Sequence, residues 1–371
     1  MKPGAIVSDD AAERDPPDGP AVAIVAGKAN DRRVQLAPGG QWRAGDIVQL
    51  QWAAKDGPAS TIIADIYGPN VVVGASHWAY PRRPLVTQTT RITAIAGDTA
   101  TLATPLMHPV SSTIPARMVR WDGLSDVGIR DLALEFPEGV SFGHHLEQGY
   151  NGIYLNDVFD GWIEGLRITN AESGILTYSS ASVTIRDILT DGTREAHYAI
   201  HVGDVHNLLV TRLIVANPVI HTFSFNTRAT RSVFQHVTAM QQPTLDQHAG
   251  SNHQNLFDDV TVHIAARRDK AGKFSYPLWD GSGASYWQPG HGRYNTSCNI
   301  EVIVESGAAP SETVTLTGLD EGPDARIVGI SGNRKFAVDY RPAPYIEGLN
   351  RDMRDVPSLY DWQFTARHRS R

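Results

Sequence analysis

The sequence predicts an all-β solenoid, chiefly from a repeat. A four-residue pattern, apolar, two mostly polar, apolar, recurs as Ile129-Arg130-Asp131-Leu132, Ile163-Glu164-Gly165-Leu166, Ile185-Arg186-Asp187-Ile188, Val210-Thr211-Arg212-Leu213, Phe234-Gln235-His236-Val237 and Phe257-Asp258-Asp259-Val260. The last five copies follow one another by 22, 25, 24 and 23 residues. The runs are short and β-like. A period of this length built from such runs means one turn of coil per repeat. Equivalent residues of successive turns then stack about 4.8 Å apart, and the sequence can be read as a surface.

Along the chain, residues 1–20 are acidic and proline-rich and are expected to be disordered or loosely attached. Residues 21–117 carry β-like runs around a Gly97-Asp98 turn and read as an N-terminal β cap closing the open end of the first coil. The solenoid is placed at 118–371. A glycine- and aromatic-rich segment at 265–295 breaks the period and reads as an insert. Further strands follow, and the tail from Pro357 reads as a proline-started turn or short helix packing back on the coil.

The bulk numbers exclude some function classes. With 371 residues and 41% hydrophobic content the chain can build a sizeable core, and the repeat argues for one elongated body. A net charge of −7 and a pI near 6.0 give no sign of a nucleic-acid partner. Cys298 is the single cysteine, which excludes an internal disulfide framework. No run of about 18 apolar residues is present, so no helical membrane span is expected. The amino terminus lacks a signal-peptide pattern. Nothing in the sequence sets an oligomeric state.

Ten residues upstream of each repeat marker lies a second strand. Its inward column is expected to be Ile153, Ile175, Ile200, Ser224 and Gln247. Side chains alternate along a strand, so two outward columns follow. One is Tyr154, Leu176, His201, Phe225 and His248; the other is Gly152, Gly174, Ala199, Phe223 and Asp246. This register gathers Tyr154, His201, Asp246 and His248 on one sheet face as candidate catalytic residues. His197 and His221 sit at the strand entrances, and Asn226 and Arg228 lie just beyond, as candidate substrate-binding residues. His144, His145 and Glu147 precede the first full rung and are placed as walls of the groove. Histidine titrates near neutral pH and serves as base or acid, tyrosine can return a proton, and a nearby carboxylate fixes a histidine tautomer. Trp279 and Trp287 of the insert are offered as sugar-stacking platforms. No cofactor is expected. His201, Asp246 and His248 supply metal-ligating residue types without an established spacing.

The repeat region from about 118 to 330 resembles the right-handed parallel β-helix, pectate-lyase-like superfamily. The stretch Asp246-Gln247-His248-Ala249-Gly250-Ser251-Asn252-His253 is similar to the Asp-Pro-His segment of mannuronan C5-epimerases, with Gln247 where that family has proline. The resemblance implies a site, at Asp246 and His248, that removes the C5 proton of a uronate. The chain departs from calcium-dependent pectate lyases in lacking an obvious cluster of acidic ligands. The expectation is therefore an enzyme on an acidic polysaccharide, most simply a β-elimination lyase. His248 or His201 would be the base, Tyr154 the proton donor, and Arg228 or Asn226 the group that neutralises the substrate carboxylate. A C5-epimerase, a glycoside hydrolase drawing a second carboxylate from Glu147 or Asp204, and a non-catalytic glycan-binding β-helix stand as alternatives. β-Helix proteins of this kind are often exported, so a secreted or periplasmic location is expected.

Overall fold

The computed structural model describes residues 4–7, 20–70, 72–73, 83–248, 250–279, 288–318, 322–353 and 355–369. The chain folds as a parallel β-helix with three strand-bearing sides. One side is a nine-stranded parallel sheet running from Gly128–Glu135 to Tyr345–Leu349. A second is a six-stranded sheet containing Asn151–Asn156, Ser173–Tyr178, Ala196–Val202, Val219–Asn226 and Leu245–His248. The third is built from two-residue strands between Leu124 and His206.

The recurring four-residue pattern has a backbone cause. In each rung of the nine-stranded sheet the third residue of the pattern is left-handed: Asp131, Gly165, Asp187, Arg212, His236 and Asp259 have φ between 51° and 68°. Pairing skips this residue and resumes on the next, as in Glu164↔Arg186 followed by Leu166↔Ile188. A left-handed residue inside a strand is a bulge that resets the two-residue alternation. Both apolar members, three apart, therefore face the core. Ile163, Ile185, Val210, Phe234 and Phe257 stack in register, as do Leu166, Ile188, Leu213, Val237 and Val260. Gly165 takes this conformation without strain; aspartate is among the side chains that tolerate it.

On the six-stranded sheet the register differs by one residue from the sequence reading at the fourth rung. Ile153, Ile175, Ile200, Phe223 and Leu245 form the inward ladder. Phe223 and Phe225, expected outward, are fully buried and pack against Phe234, with ring centroids 5.5 and 5.1 Å away. Ser224, expected inward, pairs with His201 and Asp246 in the outward column. Gln247 is inward, and its amide is satisfied by the Tyr340 hydroxyl (3.1 Å) and Asn295 (2.9 Å). The slip arises because the corners between sheets vary in length, so a constant period drifts.

Residues 21–120 contain a closed six-stranded antiparallel barrel, where the sequence reading placed a cap over the coil's end. The barrel lies against the side of the coil instead. Tyr67 donates to the Gly250 carbonyl (2.8 Å), Arg231 to Pro105 (2.9 Å) and Arg91 to Asp160 (3.0 Å). Gly4–Val7, in the stretch expected to be loose, pairs parallel with Asn151–Asn156 at the edge of the six-stranded sheet. The segment expected as an insert supplies strand Phe274–Tyr276 to a small C-terminal sheet. Helix Leu359–Arg369 docks on the nine-stranded sheet through Asp258, whose carboxylate accepts from the Ser358 hydroxyl and the Leu359 and Tyr360 N–H groups.

Candidate histidine–carboxylate site

The site lies on the outer face of the six-stranded sheet, where the three adjacent strands Ala196–Val202, Val219–Asn226 and Leu245–His248 and one loop converge. In register, Tyr154, Leu176, His201, Ser224 and Asp246 form one outward column, with Asn226 beside His248 and Tyr198 beside His221. The loop between Gly128–Glu135 and Asn151–Asn156 folds over this face and brings His144, His145 and Glu147 to it. Pro137, Gly139 and Gly143 keep that loop out of regular structure. Buried charges then hold it. The Glu172 carboxylate accepts from the backbone N–H groups of Gln148, Gly149 and Tyr150 at 3.1, 2.5 and 2.7 Å. Arg194 donates to the carbonyls of Val140 and Pro137 at 3.2 and 2.9 Å and faces Glu172 at 3.6 Å.

Two carboxylates organise the imidazoles. Asp246 is fully buried; its Oδ2 accepts from the Ser224 hydroxyl at 2.5 Å and lies 3.3 Å from His221 Nδ1, while Oδ1 lies 3.6 Å from His248 Nδ1. Glu147 Oε1 lies 2.8 Å from His197 Nδ1. On the far side of the rings, Nε2 of His144 is 3.2 Å from Nε2 of His197 and 3.4 Å from Nε2 of His221. His145 stacks on His144 with centroids 4.0 Å apart.

The electrostatics follow from burial and crowding. Burial raises the Asp246 carboxyl, but the imidazoles of His221 and His248 outweigh it and hold it well below the usual carboxylate range. Burial, then the neighbouring His221 imidazole, brings His197 down to about 4. Burial also lowers His144, with the adjacent imidazoles adding to it. His201 is brought down to about 3 by burial, helped by His248.

Several sequence candidates sit where they cannot meet a substrate. His201 is 2% exposed, enclosed by Tyr178 and Tyr198 with centroids 4.9 and 4.7 Å away. It is therefore excluded as a base acting directly on a polymer. Tyr154 is buried in an apolar cluster with Leu176 and Tyr198. Arg228, expected to neutralise a substrate carboxylate, is buried and donates to Asp204 (2.7 Å) and the Pro84 carbonyl (3.3 Å). Asn226 is buried between the Tyr198 hydroxyl (3.3 Å) and Thr227 (2.7 Å). Trp279, offered as a sugar platform, is a core residue that donates to Ser297 (3.1 Å) and packs edge-on against Tyr340. Trp287 lies outside the described residues. His197, His221, Asp246 and His248 do come together. The contribution of His144 and Glu147 to the same cluster had no periodic signal, since they lie in a loop.

Fold and site together define a parallel β-helix with a histidine–carboxylate cluster on one sheet face. No protein-family model matches the sequence, and no curated protein matches it. Similar solved structures include phage tailspikes. Tailspike gp49 of Pseudomonas phage LKA1 aligns over 89% of this chain and 64% of its own, with 11% identity and a TM-score of 0.43. Tailspike gp61 of Pseudomonas phage phi297 aligns over 88% and 61%, with 10% identity and a TM-score of 0.42. The Gp54 tailspike of Acinetobacter baumannii bacteriophage AP22, solved in complex with A. baumannii capsular saccharide, aligns over 88% and 60%, with 10% identity and a TM-score of 0.34. The chain spans about three fifths of the length of these tailspikes.

Proposed function

We propose that the chain is a carbohydrate-active enzyme that removes a ring proton from a uronate unit of an acidic polysaccharide, with β-elimination as the outcome. The observation that carries this reading is the state of Asp246. It is fully buried, held ionised, and committed to Ser224, His221 and His248. Such a carboxylate orients imidazoles and does not itself exchange protons with a substrate. Acid–base work then falls to the histidines, which suits abstraction of a carbon-bound proton next to a carboxylate.

A two-carboxylate hydrolase fits less well. It needs an acid and a base or nucleophile reaching the scissile bond, about 5–9.5 Å apart. Asp246 is inaccessible, Asp204 is paired with buried Arg228, and Glu147 is taken up by His197. In the proposed reaction His248, the half-buried imidazole of the group, takes the C5 proton. The electron pair moves into the uronate carboxylate as an enolate-like state, the C4–O bond breaks, and the departing oxygen takes a proton. That proton comes from solvent, since Tyr154, expected as the donor, is buried in an apolar cluster. Return of the proton to C5 from the other face would give epimerisation instead.

Incubation with a panel of uronate polymers tests this, read by the ultraviolet absorbance of the unsaturated product and by NMR for C5 inversion. Product formation is expected to fall about 10²–10⁴-fold in His248→Ala. Reducing ends without unsaturation would establish the hydrolase, and binding of a polymer without any product would overturn the enzymatic reading.

A further inference from the structure

We infer that His144, His197 and His221 form a binding site for one divalent transition-metal ion of the zinc type. Three features of the cluster point there. The first is spacing. A tetrahedral ion bound at about 2.0–2.1 Å to each nitrogen holds its ligand atoms about 3.3–3.4 Å apart. His144 Nε2 lies 3.2 Å from His197 Nε2 and 3.4 Å from His221 Nε2, and all three nitrogens fall within 4.8 Å of one another.

The second is the back side of the rings. His197 turns Nδ1 to the Glu147 carboxylate at 2.8 Å, and His221 turns Nδ1 to the Asp246 carboxylate at 3.3 Å. A carboxylate at Nδ1 places the ring proton there and leaves Nε2 with its lone pair forward. This carboxylate–histidine arrangement is the one that orients metal-ligating imidazoles. The third is the failure of a hydrogen-bonded alternative. Two lone pairs, on His197 and His221, converge on His144, whose single Nε2–H can satisfy only one of them. An ion satisfies all three nitrogens at once.

The donor set selects the metal class. Three neutral imidazoles suit zinc, cobalt, nickel or copper, whereas calcium and magnesium require oxygen ligands. His144 is exposed while His197 and His221 are buried, so the fourth position opens toward solvent, as in sites that take up a further ligand. Bound there, the ion supplies a Lewis acid for a carboxylate or a water. The inference does not depend on the substrate: a metal-loaded chain with no product from any uronate polymer would leave this site standing and remove the lyase reading.

The test is calorimetric titration of the untagged, chelator-treated full chain with Zn²⁺, with metal content measured after dialysis and visible spectra recorded on Co²⁺ addition. One ion per chain and the intense visible bands of tetrahedral Co²⁺ are expected. Affinity should fall at least about 100-fold in His144→Ala, whose exposed loop position leaves folding intact, and in His197→Ala. Glu147→Ala should weaken binding about 10–100-fold through ring orientation. His263→Ala, which removes an imidazole held by Glu305 on the nine-stranded sheet, should leave affinity unchanged. Absence of stoichiometric Zn²⁺, preference for Ca²⁺, or an unaltered affinity in His144→Ala would overturn the proposal.

Discussion

The two large sheets of the coil share one core and differ in their outer faces. On the nine-stranded sheet, burial alternates as a half-solvated strand should: in Trp162–Thr169, Ile163, Leu166 and Ile168 are buried while Trp162, Gly165 and Arg167 are exposed. Its outer surface carries ion pairs between rungs, such as Arg212 with Asp187 at 2.6 Å and Arg167 with Asp191 at 2.6 Å. On the six-stranded sheet, every residue of Asn151–Asn156 and of Ala196–Val202 is buried, on both faces. The outer face is covered by the 137–150 loop and filled with imidazole, hydroxyl and carboxylate groups. Coverage is what converts an ordinary polar sheet face into a site, since the same charges interact more strongly once water is excluded.

Two ion pairs of similar chemistry measure that difference. Arg194 and Glu172 are 3% and 2% exposed; Arg212 and Asp187 are 51% and 47% exposed. Arg194→Met strands the Glu172 carboxylate and releases the carbonyls of Val140 and Pro137. It is expected to lower unfolding free energy by about 3–5 kcal/mol in urea titrations. Hydrogen exchange across 137–150 should rise in the same variant. Arg212→Ala should cost about 0.2–1 kcal/mol and leave the loop's exchange unchanged. Equal losses in the two variants would break the comparison.

The smallest effect concerns pH on the exposed face. Burial lowers His236, but hydrogen bonds to Asp259 (2.6 Å) and to Asp361 of the C-terminal helix (3.0 Å) outweigh it and raise its pKa above 6.5. A histidine raised on folding stabilises fully below its unfolded value near 6.5, and that contribution is lost as pH rises through the raised folded value. Amide exchange in Leu359–Arg369 is therefore expected to exceed its intrinsic pH dependence on the alkaline side, and His236→Gln should remove the excess. An identical profile in the variant would show that His236 does not hold the helix.

Legibility followed periodicity. The nine-stranded sheet was readable because each rung repeats its bulge, and Asp131, Gly165, Asp187 and Asp259 are residue types that accept the left-handed backbone. The six-stranded sheet was readable through Ile200 and slipped at Ser224, where two inward phenylalanines flank the serine and the corner length changes. Asp246 and His248 kept their outward placement because Gln247 between them faces in, satisfied by Tyr340 and Asn295. Burial of Arg228, Asn226 and Trp279 was not readable, because their partners Asp204, Tyr198 and Ser297 lie on other rungs or beyond a corner.

The sequence by itself determined the coil, the core ladders of its nine-stranded sheet and the outward placement of Asp246 and His248, because strand alternation and a near-constant period are local properties. Strand pairing alone put Asp246 in the column of His201. Only the tertiary structure decided that the barrel lies along the coil's side and that His144 and Glu147 join His197 and His221. Those placements depend on buried charges and backbone donors far apart in the chain, Arg194 and Glu172 above all. Such long-range bonds leave no periodic trace, because each is made once.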